Sequence, residues 1–185
     1  WMADTIEKTP AERPLKVLNL FGYTGLGSLI PASVGAQVTH IDASKKAIGW
    51  ARENQELSGM EDLPIRWICE DAMKFVAREV KRGNTYDGIL LDPPKYGRGP
   101  KGEVWELFDS LPEMLPMIEK ILAPDARFVI LTAYAIRSSF VALHEIMSET
   151  LETRGGLLES GELVLRTPDG GRALSTSMFS RWSMP

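Results

Sequence analysis

The stretch Leu15-Lys16-Val17-Leu18-Asn19-Leu20-Phe21-Gly22-Tyr23-Thr24-Gly25-Leu26-Gly27 decides how this chain is read. Leu15 to Phe21 is an apolar run of strand length, too short for a helix and dense enough to be buried on both faces. The glycines at 22, 25 and 27 let the backbone turn tightly and approach a ligand without interference from a Cβ. Ser28 to Val34 then reads as a short helix interrupted at Pro31. A strand, a glycine turn and a helix make the opening of a βα unit.

The same alternation continues outward from that unit. Gln37 to Ile41 is a second strand closed by Asp42, and Ser44 is the N-cap of a helix reaching to about Gly59. Ile65 to Ile68 is a third strand; Asp71 caps a helix through Phe75 and Val80 that Gly83 ends. Ile89 to Leu91 is a fourth, stopping at Asp92-Pro93-Pro94. A loop through Gly102 leads to a helix between Val104 and Leu122 that Pro112 and Pro116 should kink or divide. Arg127 to Thr132 is a fifth strand, and Ser138 to Thr153 a helix. Leu157 to Arg166 and Ala173 to Trp182 are joined by Thr167-Pro168-Asp169-Gly170-Gly171, a turn sequence that makes them a hairpin. The expected fold is α/β: a doubly wound, Rossmann-like, seven-stranded and mostly parallel sheet with a C-terminal antiparallel hairpin.

Composition narrows the function classes. The 185 residues, 44% hydrophobic and 25% charged, suit one compact domain. No apolar run approaches the roughly 20 residues of a membrane helix, so no membrane partner is expected. A single cysteine, Cys69, cannot form an internal disulfide, and no Cys/His cluster has metal-ligand spacing, so a cytoplasmic setting without a metal fits. The net charge of −4 argues against a surface that grips nucleic acid everywhere, so such contacts would be local or made by another domain. Residues 1–14 read as a linker or a short helix, the tail of an absent N-terminal domain, with the domain proper over 15–185. The opening Trp1-Met2 carries no secretory pattern and reads as a cut from a longer protein.

Open parallel sheets bind ligands beyond the carboxyl ends of their strands, and four such places carry chemistry here. The turn at Asn19, Phe21, Gly22, Tyr23, Thr24 and Gly25 is the first. It departs from the dinucleotide fingerprint, because Ile30 stands where a third small residue belongs, and no Gly-Lys-Ser/Thr of a P-loop follows. Asp42, followed by Ala43 and Ser44, is the second: a carboxylate there can accept from both hydroxyls of an adenosine ribose, or simply cap a helix. Asp71, followed by Ala72, is the third, able to accept from an adenine amino group or again to cap. The fourth is Asp92-Pro93-Pro94-Lys95-Tyr96, where two prolines hold an unusual turn beside an acid and an aromatic. This constellation resembles the Asp/Asn-Pro-Pro-aromatic motif of methyltransferases that modify nitrogen or base atoms, with Lys95 inserted before the aromatic Tyr96.

Taken together, Val17 to Gly25 (VLNLFGYTG), Ile41 to Asn54 (IDASKKAIGWAREN) and Leu91 to Tyr96 (LDPPKY) resemble the bacterial 23S (large-subunit) ribosomal RNA methyltransferase family. The resemblance implies a class I methyltransferase fold, S-adenosyl-L-methionine as methyl donor and a structured RNA, ribosomal RNA foremost, as acceptor. It places the donor among Asn19, Phe21, Gly22, Tyr23, Thr24, Gly25, Asp42, Ala43, Ser44, Asp71, Ala72 and Asp92. Asp92, Pro93, Lys95 and Tyr96 would then face the acceptor. N-terminal RNA-binding domains of that family would account for an acidic catalytic domain. One departure separates the chain from the family's cytosine-C5 members, which place a cysteine after the fifth strand: Leu131 to Ser138 has none, and Cys69 lies at the third strand. Nitrogen methylation, which needs no protein nucleophile, is therefore the expected chemistry. Lys95, Arg98 and Lys101 are expected in a basic lid, and Tyr134 is a further stacking candidate. Trp50, Trp67, Trp105 and Trp182, with His40 and His144, read as packing residues. A catalytically idle binding module, a methyltransferase of a non-RNA acceptor and an NAD-dependent oxidoreductase are the competing expectations.

Overall fold

The computed structural model describes residues 1–184. Strands β1 (Lys16–Leu20), β2 (Gln37–Asp42), β3 (Ile65–Cys69), β4 (Gly88–Leu91) and β7 (Phe128–Ala133) are parallel. With β8 (Leu157–Arg166) and β9 (Ala173–Ser183) they form a seven-stranded sheet in the order β3-β2-β1-β4-β7-β9-β8. The last strand in sequence, β9, lies between β7 and β8 and runs against both. Helices α2 (Leu26–Ser33), α3 (Lys45–Leu57), α4 (Ala72–Arg82), α5 (Leu107–Lys120) and α6 (Phe140–Leu151) fill the connections, preceded by α1 (Met2–Lys8).

Successive β1 side chains alternate between the two faces of the sheet, and both faces are covered. Leu18 and Leu20 join Ile41, Phe75, Ile89, Met114, Ile118 and Leu131 in one apolar core. Val17 joins Val38, Ala32, Phe128 and Ile6 in the other. The continuous apolar run at 15–21 is the signature of this double covering. The opening segment, read as a linker or a short helix, forms α1, which buries Ile6.

Three local expectations change. The residues between Pro94 and α5, read as a loop, form a small antiparallel hairpin of β5 (Tyr96–Arg98) and β6 (Val104–Glu106). Three-residue strands are too short to show a period of two. Pro112 and Pro116 neither kink α5 into two pieces nor end it, and both lie on its exposed side, where a missing N–H costs least. Pro31 likewise sits within a continuous α2.

The amino end of the sheet is tied together by Asp87, which is 1% exposed. Its carboxylate accepts from both terminal nitrogens of Arg13 (2.6 and 2.9 Å) and from the Lys16 N–H (2.7 Å). Its backbone carbonyl accepts from Arg127 N–H ahead of β7. Burial pushes the Asp87 carboxyl up, but the Arg13 fork and the Lys16 N–H more than offset this and hold it below the usual carboxylate range. A depressed carboxylate contributes stability above its unfolded pKa and loses it as pH falls through the folded one. Arg13→Ala, which leaves Asp87 buried without its cation, should cost on the order of 2 kcal/mol at pH 7, allowing for the half-exposed arginine. The cost should shrink below about pH 4. Urea unfolding of both proteins across that range measures it.

Candidate active site

The chain leaves β1, builds β2 and β3 on one side, and returns to lay β4 on the other side of β1. Strand order reverses at this point, and in such sheets the crevice opens there. Leu20 pairs with Leu91, so the glycine turn after β1 and the Asp-Pro-Pro turn after β4 emerge side by side. Between them and the ends of β2, β3 and β7 lies a cavity of about 490 Å³, a size suited to a nucleoside-like ligand. Its walls include Phe21, Tyr23, Asp42, Ala43, Ser44, Asp71, Ala72 and Asp92 from the sequence-derived set.

Asp42 organises the donor side. Its Oδ2 accepts from Tyr23 N–H (2.9 Å) and its Oδ1 from Ser44 N–H (2.8 Å), so one carboxylate fixes the turn after β1 and the start of α3. Ser44 Oγ then accepts from Ala47 N–H and caps α3. Each Asp42 oxygen keeps a second lone pair for a ligand hydroxyl. Asp71 caps α4 through Oδ1 and Lys74 N–H (2.9 Å); among the described residues nothing donates to its Oδ2. The capping and ligand readings of both acids are thus geometrically compatible. Glu70 is committed elsewhere: Arg78 grips it with two nitrogens and holds its carboxyl low.

Beneath the glycine turn runs a buried polar chain. Asn19 donates through Nδ2 to Ser28 Oγ (2.9 Å), and Ser28 Oγ meets His40 Nδ1 (2.9 Å). His40 is fully buried and meets the Trp67 ring at a tilt of 60° with centroids 4.6 Å apart, and burial lowers its pKa to about 4, so its ring is neutral. A Cβ on Gly22 would stand 2.3 Å from this ring. Gly22 is therefore needed for a close approach rather than for an unusual backbone angle. Asn19, Gly22, Thr24 and Gly25 support the cavity from behind and do not line it.

The acceptor side differs more from expectation. Pro93, which is buried, and Lys95 and Tyr96 lie outside the cavity lining; Pro94, Gly97, Arg98 and Gly99 in and beside the β5–β6 hairpin occupy that wall with Trp105. Trp105, expected to be packing alone, holds the hairpin in place. Its Nε1 donates to the Pro94 carbonyl (2.8 Å) and its ring meets Phe21 at 4.7 Å. Glu103, just before β6, pairs with Lys74 of α4. No periodicity announces this role, because Trp105 reaches the site through a hairpin visible only in three dimensions. Tyr134, 45% exposed, stands at the mouth opposite. Burial raises its phenol pKa, with Asp92 and Tyr23 adding to the effect.

Asp92 is open to the cavity yet ringed by protein. Burial pushes its carboxyl up, and a hydrogen bond from the Thr132 hydroxyl partly offsets this. Three non-glycine residues adopt left-handed backbone angles: Phe21 (φ 59°), Tyr23 (φ 48°) and Ala135 (φ 55°). Phe21 and Tyr23 line this cavity and Ala135 follows Tyr134, which also does, the placement expected where local strain is kept for function. Among the described residues no group of three or more His, Cys, Asp or Glu could hold a metal, and no helix is long and apolar enough to cross a membrane.

A crystal structure of a SAM-dependent methyltransferase from Agrobacterium tumefaciens superposes with a TM-score of 0.95 and 61% identity, over all of this chain and 60% of that one. The chain has the class I methyltransferase fold. No model of a known protein family matches it. Ribosomal RNA large subunit methyltransferase K/L of Shewanella frigidimarina is 34% identical over 115 residues, which are 61% of this chain and 16% of the relative. Ribosomal RNA large subunit methyltransferase I of Klebsiella pneumoniae is 37% identical over 83 residues, 44% of this chain and 20% of the relative. The chain thus spans less than a quarter of either curated relative.

Gly22→Ala should weaken donor-side binding roughly tenfold, about 1.4 kcal/mol, because the new methyl must displace the turn from His40. Isothermal titration with S-adenosylhomocysteine reads this directly; unchanged affinity would show that the close approach is dispensable.

Proposed function

We propose that this chain is the donor-binding, catalytic domain of an S-adenosylmethionine-dependent methyltransferase acting on a nitrogen of an RNA base, with ribosomal RNA the favoured acceptor. The observation that carries the reading is that Asp92 lines the same cavity as the acids Asp42 and Asp71, around a space of nucleoside size. The residues suit that ligand. Asp42 has lone pairs for ribose hydroxyls, Asp71 Oδ2 for an adenine amino group, and Phe21, Ile41, Ala72 and Trp105 give apolar walls.

S-adenosylmethionine supplies a methyl group already activated by its sulfonium centre. What remains for the protein is alignment. Asp92 accepts a hydrogen bond from the target amino group and so turns the nitrogen lone pair toward the cavity. Its raised pKa, caused first by burial, suits a group that must take up a proton. Tyr134 offers a ring for the base to stack on, and the hairpin wall with Arg98 excludes water. Lys95 and Tyr96, exposed just outside the cavity, are placed for the flanking nucleotides rather than for the reacting base. The acidic balance of the chain leaves most phosphate contacts to other parts of the full-length, cytoplasmic protein.

Absence of a suitable cysteine favours nitrogen over cytosine C5. Covalent C5 chemistry needs a thiolate beside the base. The one cysteine, Cys69, ends β3, two strands away from β1 and three from β4, and directs its sulfur at the Ala43 carbonyl (3.6 Å).

Asp92→Ala should lower methyl transfer into ribosomal RNA from a deletion strain by roughly 10²- to 10⁴-fold while S-adenosylhomocysteine still binds. Asp42→Ala should lose binding itself. Tritium transfer and nucleoside mass spectrometry test both; 5-methylcytidine as the product would sink the nitrogen reading, and binding without transfer by the full-length wild type would leave only a binding module.

A further inference from the structure

We propose that Thr132 is a positioning residue for Asp92: its hydroxyl pins Oδ1 and so commits Oδ2 to the acceptor nitrogen and to the proton which that nitrogen releases. The proton role rests on the nitrogen-methylation reading above. The contact itself rests on the register of the sheet.

β4 and β7 are paired with Leu91 opposite Leu131, so Thr132 comes level with Asp92 just beyond the last residue of β4. Its Oγ1 reaches both Asp92 Oδ1 and the Leu91 carbonyl, the latter at 3.3 Å. A hydroxyl has one proton to give, and the closer, charged acceptor takes it. Asp92 Oδ2, by contrast, has no donor among the described residues.

The surrounding charges do not replace this contact. Tyr23 and Tyr134 face Asp92 across the mouth, and Asp42 and Asp71 stand on the far wall. Glu70 is neutralised by Arg78, and Arg98 lines the hairpin wall without forming an ion pair to Asp92. Thr132 is thus the group that favours the ionised carboxyl against the burial that opposes it. In the transfer step the nitrogen–carbon bond forms as the carbon–sulfur bond breaks, the sulfonium becoming a thioether. The proton displaced from nitrogen goes to Oδ2. Oδ1 keeps its hydrogen bond throughout, so the carboxyl need not rotate.

The test compares wild type, Thr132→Ser and Thr132→Val. Carboxyl-carbon NMR follows Asp92 in each protein without any acceptor present. The pH profile of kcat is measured on ribosomal RNA from the deletion strain, and thermal melting checks folding. Thr132→Val should make Asp92 titrate at higher pH, move the acid limb of kcat the same way and cut kcat roughly tenfold on that limb, as loss of a hydrogen bond to a charged group implies. S-adenosylhomocysteine affinity should stay unchanged, and Thr132→Ser should behave like wild type. An Asp92 titration that is the same in all three, or a kcat loss uniform in pH and shared by the serine variant, would overturn the proposal. If wild type forms no N-methylated nucleoside although the titration shifts as expected, the nitrogen reading fails and Oδ2's proton role with it.

Discussion

The pairing of β4 alongside β1 is the constraint on which the rest of this molecule depends. A parallel partner laid on the far side of β1 from β2 forces two chain turns to leave the sheet as neighbours in opposite senses. The crevice between them cannot be filled by either helix that follows, and it is lined by whatever residues end the strands. Here those are Phe21, Asp42, Asp71 and Asp92. At the opposite end of the sheet Asp87 ties the starts of β1, β4 and β7 together, so that the register which aligns Leu20 with Leu91 does not slip.

Polar atoms carry much of the precision at the site. Asp42 holds a turn and a helix start with the same carboxylate that faces the cavity, and Asp71 both caps α4 and keeps one oxygen free. Behind the glycine turn, the Asn19–Ser28–His40 chain fills a space that apolar packing could have closed. Asn19 Oδ1 and His40 Nε2 lack partners there, an expensive arrangement in a core. Together with left-handed Phe21 and Tyr23 it marks this turn as one whose shape is kept at a cost in stability. The β5–β6 hairpin is held differently, by the buried Trp105, whose indole donates to the Pro94 carbonyl and whose ring meets Phe21, and by the Lys74–Glu103 ion pair.

Two neighbouring acids show how environment separates roles that a sequence presents alike. Asp92 and Asp87 flank the same four-residue strand. Asp87 is buried against a guanidinium and a backbone N–H, which hold its carboxyl below the usual carboxylate range despite burial. Asp92, with a single hydroxyl donor, is pushed the other way by burial and can hold a proton in turn. The two prolines that follow Asp92 mark it in the sequence, but the direction in which each carboxyl is shifted is decided by the partner it meets across the sheet.

The alternation of apolar strand runs with amphipathic stretches was enough to determine the parallel sheet, its helices and the final hairpin, because periodicity and turn residues act locally. Asp42, Asp71 and Asp92 were legible for the same reason: a strand end is a position in sequence as well as in space. What only the tertiary structure decided is which other side chains reach them. Trp105 and Arg98 enter the cavity wall through a hairpin of three-residue strands, while Lys95 and Tyr96, adjacent to the acid in sequence, fall outside it. Thr132 meets Asp92 from 40 residues away. Such contacts depend on the register of strands that pair across long loops, and no local pattern of residues encodes a register.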